Sequence, residues 1–378
     1  MGNSSTLWPI FFLSMFLAYL TDRCSRFEYG SLGEKKYLNQ NKFFYIILAI
    51  SMSVFIGLRI WCNDTGTYRD AYVYLTNSTG PLLEGISMSI GDSPGFAIVN
   101  TILKRLGFSS QDFLMFYAFL TISLYLWFIR KYSIDFWLST FLYVTMGVYM
   151  FAAAGMRQAV AVAIALLGVD RGLQKKWIPF IWWIIIASTF HPYTVLFLFL
   201  PFCTFSPWSN KTWAMLGIFF VVGVTLQQLL GVVFSITSAM GKVYSDTEFS
   251  GEGVNIFRLL VVWAPIVLSF LVKDKIRVTE NRERNLFINF STLNAAIMFV
   301  ALFGTANYFA RLANYFLIFQ ALAVPWIIVH FKEKDRSILR IIIIGCYMLY
   351  FIFANVILTP FNTYFAKMSL WDYLEGLF

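Results

Sequence analysis

Apolar stretches recur along nearly the whole chain, separated by short loops that hold most of its charge. A helix needs about 20 predominantly apolar residues to cross the hydrocarbon of a bilayer. Stretches that approach this requirement cover residues 5–21, 43–61, 112–129, 136–153, 158–169, 212–234, 255–272, 286–303, 309–330 and 338–358. Residues 177–206 form one further apolar run, interrupted by His191-Pro192. The composition agrees: 59% of the 378 residues are apolar and only 13% are charged, against about 25% charged in a soluble domain. A water-soluble interior cannot hide 41 Phe, 20 Tyr and 12 Trp as well. The chain is therefore expected to be an all-α, polytopic membrane protein, and a soluble enzyme, a nucleic-acid binder or a disulfide-stapled secreted domain is excluded. Cys24, Cys62, Cys203 and Cys346 show no metal or redox spacing. The first apolar stretch lacks a basic flank and a cleavage site, so it reads as a retained span.

Lys and Arg in short loops set the orientation. Loops 22–42, 273–285 and 331–340 are rich in them and are assigned to the cytoplasm. Loop 62–93 carries Asp64, Asp70, Glu84 and Asp92 against Arg69, and loop 235–254 carries Asp246, Glu248 and Glu252 against Lys242. Those two face outward, as do both termini. Parity then requires residues 177–206 to leave and return as a short hairpin with His191-Pro192 at its apex. The count reaches about twelve helices in a single transmembrane domain, residues 1–378, with 94–108 as an interfacial or re-entrant helix.

Sorted by side, the net charge of +9 divides into +10 inside and −1 outside, which is ordinary topology. Four arginines stand out because they sit at the outer ends of spans among apolar neighbours: Arg59, Arg157, Arg258 and Arg311. Each alone could snorkel toward the headgroups. Together they suit a shared anion site, because guanidinium offers a planar fork of donors matched to phosphate oxygens. His191 is the single outward histidine, and imidazole exchanges protons near neutral pH. His330, at the other end of a span, is expected at the interface. Asp64 admits three roles: a solvated loop residue, a salt-bridge partner for Arg59, or a carboxylate base. Tyr68, Tyr72, Tyr193, Tyr308 and Tyr315 form an aromatic rim that could stack on sugars or simply mark the interface. The outer loops contain no Asp-x-Asp pair or His/Asp cluster, so neither a metal nor another cofactor is expected.

Gly57-Leu58-Arg59 followed by Asp64-Thr65-x-x-Tyr68 resembles the opening motif of the EpsG-type, or Wzy-like, polysaccharide polymerases. Ser93-Pro94-Gly95-Phe96 with Asn100 resembles a second motif of theirs. Gly155-Met156-Arg157-Gln158-x-x-Ala161 with Ala187-Ser188-Thr189-Phe190-His191 resembles a third, and Arg311-x-x-x-Tyr315-Phe316 a late arginine motif. Asn63 stands where a glycine is usual before the aspartate, and Ser93 where an acid adjoins the proline. The resemblance implies a metal-independent glycosyltransferase of the bacterial inner membrane. It would move a growing glycan from undecaprenyl diphosphate onto an incoming lipid-linked oligosaccharide at the periplasmic face. His191, Arg157, Arg311 and Asp64 would be catalytic, with Arg59, Arg258, Gln158, Tyr68 and Tyr315 binding substrate. Its partners would be lipid-linked oligosaccharides and membrane lipid, with room for a chain-length regulator. An O-antigen-type ligase would share the arginine site. A flippase would be expected to show repeat symmetry and charges along a central cavity, whereas the sequence has no internal repeat and its odd arginines cluster at one face.

Overall fold

The computed structural model describes residues 7–75, 80–240, 253–304, 306–358 and 365–376. Asp246, Glu248, Glu252 and Lys242, which entered the orientation argument, lie outside them. The architecture is mostly helical. Among the described residues three helices are long and apolar enough to cross a membrane, Ser110–Tyr132, Tyr308–Ile328 and Glu333–Leu358. Two bent pairs raise the number to five. Large apolar side chains on these and neighbouring helices point outward, Ile218, Phe220, Ile341 and Leu349 among them. A surface of that kind belongs in lipid, and the chain is a multi-pass membrane protein. One contiguous apolar core runs from Leu7 to Phe365.

In chain order the helices that matter below are α1 (Leu7–Arg23), α2 (Lys42–Gly57), α3 (Thr65–Val73), α4 (Pro94–Arg105) and α5 (Ser110–Tyr132). They continue with α6 (Phe136–Thr145), α7 (Val148–Ala154), α8 (Met156–Leu173), α9 (Trp177–Ser188), α10 (Asn210–Val224) and α11 (Leu226–Ala239). After these come α12 (Ile256–Leu271), α13 (Lys273–Val278), α14 (Arg282–Val300), α15 (Arg311–Ile328) and α16 (Glu333–Ile352). The tightest pairings are α14 with α15, α8 with α9, and α2 with α5.

Several elements differ from the sequence expectation, each for a local reason. The fold is not purely α: strands β1 (Arg26–Tyr29) and β2 (Lys35–Asn39) pair antiparallel within loop 22–42. A second pair joins β3 (Arg59–Cys62) to β4 (Phe365–Lys367), tying the end of the second span to the C-terminal segment. The expected loop 62–93 contains α3 and a 3-10 turn at Ile90–Asp92. The span at 136–153 is broken into α6 and α7 with a 45° bend. Gly147 makes that break with φ +88°, a left-handed value that glycine adopts with no Cβ penalty. Stretch 212–234 divides into α10 and α11, bent by 106°, where Thr225, Gln227 and Gln228 interrupt the apolar run. In the 177–206 segment α9 ends at Ser188, and the return arm, Pro192–Cys203, is a 3-10 helix packed against it.

The ion pairs among the described residues collect in the regions assigned inward: Lys35 with Asp22, Lys131 and Arg171 with Asp170, and Arg340 with Asp135. His330, expected at the interface, is instead 2% exposed. Its Nε2 lies 3.2 Å from Arg284 and its Nδ1 2.6 Å from the Trp326 carbonyl, so it fills a polar niche behind the surface.

Elsewhere, side-chain amides bridge helices through backbone carbonyls, as apolar packing alone gives little preference between helices in lipid. Asn294 donates to the Ala313 carbonyl (2.5 Å) and Gln320 to that of Val262 (2.8 Å). Asn289 donates to two carbonyls, those of Cys203 and Phe205, both at 2.8 Å, and so anchors the end of the 3-10 arm to α14. Replacing it with leucine leaves buried acceptors unpaired. Asn289→Leu is expected to cost about 1–3 kcal/mol, read as a lowered thermal midpoint of the purified protein in detergent.

Candidate active site

Four segments distant in sequence meet around a cleft of about 260 Å³. The loop after β3 contributes Asn63 and Asp64, with Tyr68 from α3. The α7–α8 junction contributes Phe151, Gly155, Arg157 and Gln158. The apex after α9 supplies His191 and Tyr193, and the start of α15 with the π-helical turn before it supplies Tyr308, Arg311, Leu312 and Tyr315.

Local backbone chemistry explains how each segment is held. Arg59 is fully buried and does not reach the cleft. Its guanidinium donates to the Ile56 carbonyl (2.9 Å) and the Thr65 hydroxyl (3.3 Å), and it contacts the Met156 sulfur at 3.1 Å. One side chain thus ties the end of α2 to the starts of α3 and α8, the two helices that carry Tyr68 and Arg157. Asn63 adopts φ +46°. Asparagine is among the few residues besides glycine that tolerate this region, which accounts for its standing at a position where glycine is usual. Its amide also reaches the Ala154 carbonyl at 3.4 Å, linking the loop after β3 to the end of α7.

The histidine turn is clamped from outside. The Gly95 N–H donates to the Thr189 carbonyl at 2.9 Å. A Cβ built on Gly95 would lie 2.1 Å from the Thr189 hydroxyl and 3.1 Å from the Phe190 ring. Only glycine lets α4 approach the turn that presents His191. The neighbouring Phe96 packs on Tyr68 and Tyr117, with centroids 6.1 and 5.0 Å apart. Inside the cleft, His191 Nδ1 is hydrogen-bonded to the Tyr315 hydroxyl. The Tyr308 hydroxyl donates to that of Tyr193 at 3.3 Å. Gln158 donates to the Arg311 carbonyl at 2.6 Å, joining α8 to α15.

The electrostatics are unbalanced. Among the described residues, neither Arg157 nor Arg311 has a carboxylate within ion-pair distance. Arg157 lies 5.6 Å over the Tyr68 ring, and its Nε is buried without a hydrogen-bond partner. Asp64 pairs with neither, nor with Arg59, so the salt-bridge role considered for it is not realised. Two guanidinium groups face one carboxylate in a half-enclosed space, which favours an anionic guest with several oxygens. No group of three or more His, Cys, Asp or Glu side chains forms a metal site among the described residues.

The structure therefore brings together His191, Arg157, Arg311, Asp64, Gln158, Tyr68 and Tyr315. It leaves two expected substrate contacts outside. Arg59 lies behind the wall, and Arg258 turns away to Asn314 Oδ1 at 3.2 Å. Tyr72 is also off the cleft, with its hydroxyl on the Phe108 carbonyl and its ring stacked on Phe113. Sequence reasoning gave no role to Phe151 on the cleft wall or to Gly95 behind it. The Pro94-Gly95 pair opening a helix was the available signal, but what it packs against is a tertiary fact.

The EpsG family model matches residues 42–371, 330 of the 378 positions. The chain belongs to the EpsG family. That family is associated with exopolysaccharide biosynthesis. No curated protein and no solved structure matches the chain. The matched region contains all four segments of the cleft.

Two outcomes follow from how this EpsG-family cleft is held. Gly95→Ala should cut polysaccharide output by about tenfold or more at unchanged membrane level, because small displacements of a reacting group cost up to about 100-fold. Asn63→Gly should retain output, whereas Asn63→Val should lose it through strain at positive φ. Both are read by polymer yield in cells, with immunoblotting of the membrane fraction as the control.

Proposed function

We propose that the chain is a repeat-unit polymerase of the bacterial inner membrane. It transfers a growing glycan from undecaprenyl diphosphate to a sugar hydroxyl of an incoming lipid-linked oligosaccharide. The reading includes a twelve-helix transmembrane domain with the cleft at its periplasmic end and the 177–206 hairpin beside it. The observation that carries it is the meeting, in one cleft of a membrane protein from an exopolysaccharide family, of an imidazole with two arginines that have no ion-pair partner among the described residues.

The chemistry assigns roles by charge. The acceptor O–H loses its proton, its oxygen bonds the anomeric carbon, and the bond from that carbon to the diphosphate oxygen breaks. Undecaprenyl diphosphate departs with the electron pair. Arg157 and Arg311 stabilise the charge that builds on it, and fixed donors in a water-poor site act most strongly on developing charge. His191 takes the acceptor proton. For that role Nδ1 must carry its hydrogen and donate it to the Tyr315 oxygen, which leaves Nε2 as the basic nitrogen. Tyr315 is thus a positioning residue, and Asp64 is the second candidate base. Tyr68, Tyr193 and Tyr308 offer faces for sugar rings. Arg59 acts through α3 and α8 without touching substrate.

The test is reconstitution of the purified protein with undecaprenyl-diphosphate-linked repeat units. A ladder of longer lipid-linked products, unaffected by EDTA, is expected. Arg157→Lys and Arg311→Lys should each lower the rate by about 100- to 1,000-fold, because lysine keeps the charge but loses the forked donors. His191→Ala should lose more than Tyr315→Phe, which retains the imidazole. Normal ladders from Arg157→Lys, Arg311→Lys and His191→Ala would overturn the assignment, and transfer only to a lipid core would identify a ligase.

A further inference from the structure

A second cavity, about 800 Å³ and so roughly three times the volume of the cleft, lies directly against it. The two share Leu312 as a common wall. On one side of that residue stand Arg311 and Tyr315, and on the other Phe309 and Phe316. The groove is lined by α10, α14, α15 and the 3-10 arm, almost entirely through aliphatic and aromatic side chains. Among the described residues Lys211 is the one charged side chain on its wall, in the first turn of α10. Along α10 the lining runs from Lys211 to Val222, about 16 Å at 1.5 Å per residue and therefore over half of the ~30 Å hydrocarbon core. Phe199 and Phe202 are more than half exposed on its rim, so it opens sideways into the apolar belt.

We infer that this groove holds the polyisoprenoid chain of the lipid-linked substrate while the diphosphate sits between Arg157 and Arg311. The inference rests on the reading of the cleft as a diphosphate site. Its geometric support is the single shared wall: an anion in the cleft and a hydrocarbon in the groove are within reach of one amphiphilic molecule. A bilayer phospholipid is the poorer occupant. Its single phosphate leaves one of two unpaired guanidinium groups unmatched, and its headgroup makes no use of the Tyr68, Tyr193 and Tyr308 faces around the cleft. The arrangement also gives the groove a kinetic part. It retains the carrier by its tail while the glycan end is exchanged, and contacts that persist from ground state to transition state appear in KM and not in kcat.

Photolabelling of the full-length protein in lipid nanodiscs tests this, using undecaprenyl diphosphate with a diazirine near the middle of its chain. Labelling is expected in peptides covering residues 196–222 and 293–316, displaced by unlabelled undecaprenyl diphosphate but not by phosphatidylglycerol. Ala214→Trp fills the groove from an exposed wall position of α10 and should reduce labelling about tenfold or more, whereas Val221→Trp, on the same helix outside the groove, should not. In repeat-unit assays Ala214→Trp should raise KM with kcat little changed. Labelling elsewhere, equal displacement by phosphatidylglycerol, or labelling unchanged by Ala214→Trp would overturn the proposal. The two readings fail separately: groove labelling without polymer formation removes the polymerase and keeps the groove, and polymer formation without groove labelling does the reverse.

Discussion

Arg157 and Arg311, which have no carboxylate partner among the described residues, face one cleft in a protein whose surroundings are hydrocarbon. Charge in that setting is expensive unless it is paired or faces water and polar ligands. The ion pairs among the described residues are made elsewhere, on Asp22, Asp135 and Asp170. Leaving the arginines unpaired therefore reserves their hydrogen-bonding forks for a guest. Much of the architecture nearby serves to keep those two side chains and His191 in register.

That register depends on contacts from behind. Arg59 looks like a member of the arginine cluster, yet it is an internal tie among α2, α3 and α8. Gly95 sets the approach of α4 to the histidine turn by having no side chain at all. Gln158 couples α8 to α15 through the backbone of Arg311 itself. The β3–β4 pair fixes the end of β3, from which the loop to Asp64 departs, with Met368 donating to the Leu58 carbonyl at 3.0 Å. Each tie uses a backbone group or a buried polar atom, which keeps donors satisfied where water is scarce.

The cleft and the neighbouring apolar groove also show how one helix can serve two kinds of chemistry. Helical spacing puts residues three and four apart on one face. Tyr308, Arg311 and Tyr315 accordingly line the polar cleft while Phe309, Leu312 and Phe316 line the groove. Leu312 belongs to both because it sits on the edge between the two faces. The amphiphilic guest proposed above would need such a boundary, and a single stretch of sequence supplies it.

Membrane character was legible from hydropathy, because an apolar run of bilayer length has few other uses. Family membership was legible too, since the Arg157-Gln158 and His191 motifs carry residue types at spacings that backbone position alone constrains. Where the chain bends was less so. Gly147 and Thr225 interrupt spans that composition reads as continuous, and the strands of β1–β2 and β3–β4, three to five residues each, are too short to show an alternating pattern. Within the site, charge and depth singled out four outward arginines, and the family resemblance put Arg157 and Arg311 ahead of Arg59 and Arg258. Tertiary structure decided which of them reach the cleft: Arg157 and Arg311 share it, whereas Arg59 is buried behind it and Arg258 is turned toward Asn314. The reason is physical: sequence fixes the depth of a residue along its helix, whereas the direction it faces is set by which helices pack around it.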